Sequence, residues 1–161
     1  MKLMHEQVDL PGGSPLKVKW DDFPHFTFPW HYHSEYEIDY IVKSHGTRYV
    51  GDNVGEFSEG NLVLVGSNVP HLWKNAPEFY NNDPSYHVNA IVIQFPGDFV
   101  QGLRNSYPEF QNIQELLVRA ERGICFMGKD AELLGRELMH LLKLKGMERL
   151  LAFIKILEQM A

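Results

Sequence analysis

The stretch His31-Tyr32-His33-Ser34-Glu35-Tyr36-Glu37 decides the reading of this chain, together with Gly60-Asn61-Leu62-Val63-Leu64-Val65-Gly66-Ser67-Asn68-Val69-Pro70-His71 downstream. Two histidines two apart, a carboxylate four further on and a third histidine after a Gly/Asn/Pro turn supply three imidazoles and a carboxylate. That donor set suits a divalent metal. The alternative is a polar patch inside a small β-barrel. On a strand, residues i and i+2 share a face, so His31 and His33 point together. Four more residues of straight strand carry Glu37 roughly 13 Å away, at about 3.3 Å per residue. Ligands of one metal sit only about 2.0 to 2.2 Å from it. If Glu37 joins the histidines, the chain turns at Ser34-Glu35-Tyr36 and Glu37 returns on the next strand. His71 then arrives from a strand adjacent in space.

The chain has 161 residues, enough for one domain with a buried core. Hydrophobic content of 44% and charged content of 22% are those of an ordinary globular protein. Cys125 is the single cysteine, so no intramolecular disulfide forms, and its apolar surroundings read it as a small buried hydrophobe. Met1-Lys2-Leu3-Met4-His5-Glu6 is followed by no apolar run of the signal-peptide kind. No window approaches the roughly 20 apolar residues of a membrane span. The expectation is a cytoplasmic protein without a membrane partner. The net charge of -6 is uneven: residues 1–116 hold 7 Lys/Arg against 15 Asp/Glu, and residues 117–161 hold 8 against 6. An acidic front argues against a nucleic-acid surface there, because phosphate binding needs a basic patch.

Pro11-Gly12-Gly13-Ser14-Pro15 reads as a turn or flexible arm. From Val18 to Gln94 short strands alternate with turn residues every eight to twelve positions, the pattern of a sandwich or barrel. In Glu37-Ile38-Asp39-Tyr40-Ile41-Val42, an inward Glu37 takes Asp39 and Ile41 inward and leaves Ile38, Tyr40 and Val42 to another layer. Gly51-Asp52-Asn53 is a hairpin turn, and Leu62-Val63-Leu64-Val65 a buried strand. After Pro96-Gly97 the period becomes helical. One helix opens at Pro108, with Phe110, Ile113, Leu117 and Ala120 on one face and Gly123 at its end. Ile124-Cys125-Phe126-Met127 reads as an edge strand. A second helix begins near Asp130 and carries Leu134, Leu138, Leu141 and Leu142, until Gly146 breaks it. A third runs from about Met147 to the end. Ten of its fifteen residues are apolar, with Leu150, Leu151, Ile154, Leu157 and Ala161 as its stripe. That is wider than one packing face needs, which leaves a side for a second copy of the chain. The helices flanking Gly146 are no helix-turn-helix, because the second offers almost nothing polar to reach base edges.

The pattern HxHxxxE, a Gly-rich loop and then His71-Leu72-Trp73-Lys74-Asn75 resembles the double motif of the cupins. The run from Phe28 to Trp73 resembles, more specifically, the N-terminal sensing domain of AraC-type transcriptional regulators. The closest pieces are Trp30 to Val42, Gly60 to Val65 and Asn68 to Trp73. The tail from Glu148 to Leu157 is similar to that family's last helix before its DNA-binding half. Two departures, Ser44 where many cupins have Gly and Gly66 where many have Pro, donate no ligand and leave a metal open. The resemblance implies a mainly-β fold, a cupin-type double-stranded β-helix (jelly-roll barrel) over residues 1–97 with its N-terminal arm. Residues 98–161 then form a helical appendage of two to three helices that packs on the barrel and mediates dimerisation, one structural domain overall. The DNA-binding half is not in this chain.

His31, His33, Glu37, Asp39, His71 and Trp73 are the expected ligand-binding residues. His31, His33, Glu37 and His71 are the candidate metal ligands, in a shell that suits Zn, Ni, Fe or Mn. Without a metal the histidines serve as hydrogen-bonding pocket lining. Asp39 contacts a ligand hydroxyl, orients a histidine, or sits at the barrel mouth in water. Trp73 shares parity with His71 and either walls the pocket or packs in the core. Trp30 has the opposite parity and reads as core, while His5, His25, His45, His87 and His140 show no partner spacing. Two functions compete. One is the small-molecule-sensing and dimerisation domain of an AraC-type regulator, a homodimer that meets DNA only through the missing half and answers an effector such as a sugar. The other is a stand-alone metal-dependent cupin enzyme, a dioxygenase or isomerase. The helical tail favours the first, since catalysis does not need it.

Overall fold

The computed structural model describes residues 2–161. Ten strands form two five-stranded sheets: β1 (Met4–His5), β2 (Lys17–Phe23), β3 (His31–Tyr32), β4 (Tyr36–Lys43), β5 (Gly46–Val50), β6 (Asn53–Phe57), β7 (Leu62–Val65), β8 (His71–Asn75), β9 (Val88–Phe95) and β10 (Ile124–Phe126). One sheet runs β1-β3-β8-β5-β6 and the other β10-β7-β4-β9-β2. Every pairing is antiparallel except β1 with β3. The two sheets face each other as a mainly-β jelly-roll barrel of the cupin type, and a helical part follows. The β5–β6 hairpin closes through the two-residue turn Gly51-Asp52, with Val50 opposite Asn53 and Gly51 at a φ of 57°.

The central strands β7, β4 and β9 of the β10-β7-β4-β9-β2 sheet are buried on both faces. Alternation along β4 therefore sorts its side chains between two cores. Ile38 joins Leu62, Leu64, Ile91, Ile93 and Phe95 on the outer face, against the helices. Ile41 joins Val63, Val65, Ala90 and Trp73 on the inner face. Two-sided burial is why β7 is an unbroken Leu-Val-Leu-Val run and β9 is nearly so.

Four α-helices follow: α1 (Gly97–Ser106), α2 (Gln111–Arg119), α3 (Gly128–Leu141) and α4 (Gly146–Met160). That is one more than the sequence pattern predicts. α1 buries only Val100 completely, so its apolar stripe is short and its sequence reads as a connection. Pro108 opens a single 3₁₀ turn, Pro108–Phe110, that runs into α2. α4 buries Phe153, Ile156, Leu157 and Met160, with Leu150 and Ile154 half-buried. Its packing face is thus rotated from the expected stripe, which leaves Leu151 and Ala161 exposed. α3 packs on α4 across the turn at Gly146.

Cys125 is exposed, which corrects its reading as a buried hydrophobe. Strand alternation at the β10 edge sends Ile124 and Phe126 toward the core and Cys125 outward. Trp30 is half-buried, not core. His45 pairs with Glu78 at 2.7 Å and His87 pairs with Asp22, partners too distant in sequence for spacing to show. The two departures from the cupin pattern have local reasons. A Cβ at Gly66 would lie 2.3 Å from the Ala120 carbonyl oxygen, so the approach of the 3₁₀ turn after α2 excludes any larger residue. The Ser44 hydroxyl accepts a 2.7 Å hydrogen bond from Asn75 Nδ2.

Candidate functional site

The site is built at the junction of β3, β4 and β8. β3 is only two residues long, and the chain bends at Ser34 before β4 starts at Tyr36. The corner is clamped by the turn that precedes β8. The Asn68 N–H donates to the His33 carbonyl at 2.8 Å, and the Ser67 hydroxyl donates to the Ser34 carbonyl at 2.6 Å. Asn68 sits at a φ of 59°, a conformation that Asn tolerates better than most side chains. The bend brings Glu37 back toward the histidines, and β3–β8 pairing sets His31 directly opposite His71.

The three imidazoles are buried and mutually close, with ring centroids 4.1 Å apart for His31 and His71, 5.0 Å for His33 and His71, and 5.7 Å for His31 and His33. Each Nδ1 meets a backbone carbonyl: Pro29 at 2.8 Å, Glu35 at 3.0 Å and Val69 at 2.8 Å. A carbonyl only accepts, so each Nδ1 carries hydrogen, and each Nε2 is left to the centre. One ring nitrogen from each histidine lies within 4.8 Å of the others. Backbone carbonyls that fix the outer nitrogen are the usual support of metal-bound histidine. Three such nitrogens with a buried carboxylate beside them fit a divalent cation.

Glu37 is held by its surroundings. Its Oε2 lies 3.0 Å from His33 Nε2 and accepts from Gln94 Nε2 at 2.7 Å, and its Oε1 lies 3.3 Å from His71 Nε2. Burial pushes the Glu37 carboxyl up, but His33 and His71 outweigh it and hold it well below the usual carboxylate range. Burial pushes His33 down, and Glu37 outweighs it, with Glu6 adding its charge, so that imidazole titrates above its ordinary value. His33 meets an acceptor at each ring nitrogen, the Glu35 carbonyl at Nδ1 and the Glu37 carboxylate at Nε2. Burial, aided by the nearby His71, pushes His31 down to about 4. Asp39 behaves oppositely to Glu37: burial, and then the Glu37 charge, push it well above the carboxylate range.

A cavity of about 280 Å³ opens inside the barrel beside this cluster. Five of the six expected site residues lie on it: His31, Glu37, Asp39, His71 and Trp73; His33 stands behind, against Glu37. Asp39 is buried, not in water at the barrel mouth, and Trp73 both walls the cavity and packs with Ile41 and Val63. Phe23, Phe26 and Phe28 add aromatic surface to the wall, and Lys19 and Asp21 add charge. Asp39 Oδ2, Trp73 Nε1, Gln94 Oε1 and His71 Nε2 are buried without a hydrogen-bond partner in the protein, and all four residues line this cavity. Gln94 and Glu6 are contributors that the motif does not contain. A glutamine near the end of the apolar strand β9 is a readable signal for an inward polar group. Nothing around Glu6 marks it.

No family model matches the chain, and no curated protein sequence matches it. Solved structures do. ToxT K231A from Vibrio cholerae strain SCE256 covers 91% of this chain at 15% identity with a TM-score of 0.54. ToxT from V. cholerae O395, bound to (E)-4-(8-methylnaphthalen-1-yl)but-3-enoic acid, covers 89% at 12% identity with a TM-score of 0.50. The AraC-like transcriptional activator CuxR covers 79% at 10% identity with a TM-score of 0.49. The chain spans about half the length of the two ToxT structures, 54% in each case. The likeness to ToxT is one of fold, and at 91% coverage it takes in helices as well as the barrel.

The two inner carboxyls differ in a way that stability can read. Folding takes up a proton at Asp39, because its carboxyl is raised in the folded chain. Its contribution is therefore unfavourable above the ordinary carboxyl range and grows as pH rises toward the folded value. Asp39→Asn is expected to raise Tm of the metal-free protein at pH 7. Glu37→Gln, which removes the charge that His33 and Gln94 bond, is expected to cost about 2 kcal/mol. Thermal melts of both variants after chelator treatment check the pair, and a fall for Asp39→Asn as large as that for Glu37→Gln would contradict it.

Proposed function

We propose that the chain is the small-molecule-sensing and dimerisation half of an AraC-type transcriptional regulator, with DNA contacted through a helix-turn-helix half outside these 161 residues. One observation carries the reading: the wall of the cavity is also the seat of the helices. β4 turns Glu37, Asp39 and Ile41 toward the interior and Ile38 toward the helical core. Helix α3 closes on the same strand through Gly135, where a Cβ would lie 2.4 Å from the Tyr40 ring. A ligand that shifts the inner side chains of β4 moves the surface on which α3 rests. Packed interfaces of this kind convert small shifts into discrete rearrangements, and the effector acts through its different affinity for the two arrangements. The motif resemblance supports the regulator class. The likeness in fold to ToxT, seen with an aryl butenoic acid bound, supports a small organic effector.

The wall chemistry fits a compact ring that lies against aromatics, accepts a hydrogen bond from Trp73 Nε1, donates one to Gln94 Oε1 and meets the Asp39 carboxyl as a third polar contact. That covers a sugar ring and a small aryl acid. The test is a thermal-shift series with a panel of pentoses and hexoses and with the naphthyl butenoic acid. One class at a hundredfold excess over its Kd is expected to add about 2.7 kcal/mol, or roughly 5 to 10 °C for a chain of this size. Val92→Phe, which fills the cavity, is expected to abolish the shift. Equal shifts in parent and filled variant would place binding elsewhere.

The same reading pairs two copies through α4. Met147 and Leu151 are 67% and 59% exposed beside half-buried Leu150 and Ile154, an apolar strip on an otherwise packed helix. Sedimentation is expected to give a dimer for the parent and a monomer for Leu151→Glu at micromolar concentration. A dimer in both would move the interface off this helix.

The histidine cluster favours a second reading, a metal-dependent cupin enzyme of the dioxygenase or isomerase kind. His31, His33, Glu37 and His71 would hold Zn, Ni, Fe or Mn, and a metal so held supplies Lewis-acid polarisation to a molecule in the cavity. Elemental analysis of protein purified without an affinity tag separates the possibilities. Near one metal per chain, lost in the His31→Ala, His71→Ala double variant, is the expected result. Metal-free parent protein with its fold intact would reduce the four residues to cavity lining.

A further inference from the structure

The N-terminal arm brings an acid to the histidine cluster. β1 lies parallel to β3, with Met4 opposite His31 and His5 opposite Tyr32. The Met4 N–H donates to the Trp30 carbonyl at 3.0 Å and the Glu6 N–H to the Tyr32 carbonyl at 2.9 Å. These bonds set the Glu6 side chain at the cavity, with Oε2 3.6 Å from His31 Nε2 and 3.9 Å from His33 Nε2. Both separations exceed a hydrogen bond and lie within ion-pair range. They are close to the spacing of two atoms that share a cation. Ligands about 2.0 to 2.2 Å from one metal stand roughly 3.0 to 3.6 Å apart at octahedral to tetrahedral angles. Glu37 stands 3.0 Å from His33 Nε2 and 3.3 Å from His71 Nε2, in the same range. The centre also holds an unpartnered nitrogen, His71 Nε2, on a side chain only 1% exposed.

The arm has little else to fix it. Leu3 and Met4 are exposed, the pairing with β3 is two residues long, and the chain runs on through Pro11-Gly12-Gly13 before β2. Glu6 is the arm's one reach into the cavity among the described residues. We propose that Glu6 is an additional, exchangeable ligand of a cation held by His31, His33, Glu37 and His71, so that occupation of this site docks the N-terminal arm. The inference rests on the metal reading above and adds to it a residue outside the motif. The three imidazole nitrogens alone lie within 4.8 Å of one another, and Glu37 and Glu6 flank that centre, each within 3.9 Å of two of them. A small molecule in the cavity then reaches the cation by displacing Glu6, and the arm leaves with it.

The test uses the full chain and Glu6→Gln, a change at a partly exposed side chain that leaves the fold measurable by circular dichroism. Zn²⁺ and Ni²⁺ affinities are read by competition with a chromogenic chelator, and arm docking by hydrogen exchange of the peptide holding residues 2–8. In the parent, metal is expected to slow exchange of the Glu6 amide at least tenfold. Glu6→Gln is expected to lose that slowing and to bind metal ~10-fold more weakly. Equal affinity and equal exchange in parent and variant would overturn the role of Glu6 and leave the histidine site standing. A parent chain that binds neither ion would overturn both together.

Discussion

Glu37 is a carboxylate with almost no access to water, and the site is arranged around the need to stabilise it. Taking such a charge out of solvent costs several kcal/mol unless donors replace the lost hydration. Here the donors are His33 and Gln94, from two separate segments, and His71 from a third lies 3.3 Å from the other oxygen. Each of those partners is in turn fixed by the backbone or by register. His33 is pinned to the Glu35 carbonyl, His71 to the Val69 carbonyl, and Gln94 faces Glu37 across the β4–β9 ladder. Loss of the charge would leave three polar side chains aimed at nothing. The corner at Ser34, the turn at Asn68 and the pairing of β4 with β9 are therefore mutually dependent.

The second constraint is that one sheet serves two cores. Alternation gives β4, β7 and β9 an inner face that carries chemistry and an outer face that carries helices, and neither can slip register without exchanging the two. A one-residue slip of β4 would bury Ile38 in the cavity and push Glu37 against Phe95 and Phe153. This is why a polar interior is tolerated at all. The outer face, with Leu62, Leu64, Ile91 and Ile93 against α2, α3 and α4, supplies apolar burial that the cavity side does not. The fold thus separates the stabilising work from the site that it positions.

Much of this arrangement is legible in the sequence because strand geometry is restrictive. If Glu37 joins the histidines, the mismatch between a roughly 13 Å straight run and metal-ligand distances of about 2 Å requires a reversal between His33 and Glu37, and parity then assigns Asp39 and Ile41 to the same side. Parity alone cannot say how deep a position lies. Asp39 is buried where a barrel mouth was equally compatible with its spacing, and Trp73 combines two roles that its parity leaves open. Cys125 shows the opposite limit: an apolar run at a sheet edge has one face in water, and the run itself does not say which residue takes it. Glu6 is illegible for a different reason. Its place depends on two backbone bonds to a strand some twenty-five positions away, formed by a segment whose composition marks only a flexible arm.

The unpaired atoms of the cavity bear on which function the fold serves. A buried polar group without a partner costs about 1 to 3 kcal/mol, and Asp39, Trp73 and Gln94 each leave one beside the same space. An interior built for stability alone would extend the Val63, Val65 and Ala90 cluster into that space instead. Partners for the three atoms have to come from outside the chain, as water or as a ligand. A ligand that supplies them gains more than contact area, because it meets these atoms in a site that is already shaped. That gain is delivered to the inner face of the sheet that seats the helices. The proposed sensing role uses such a connection, which the alternative catalytic reading does not require.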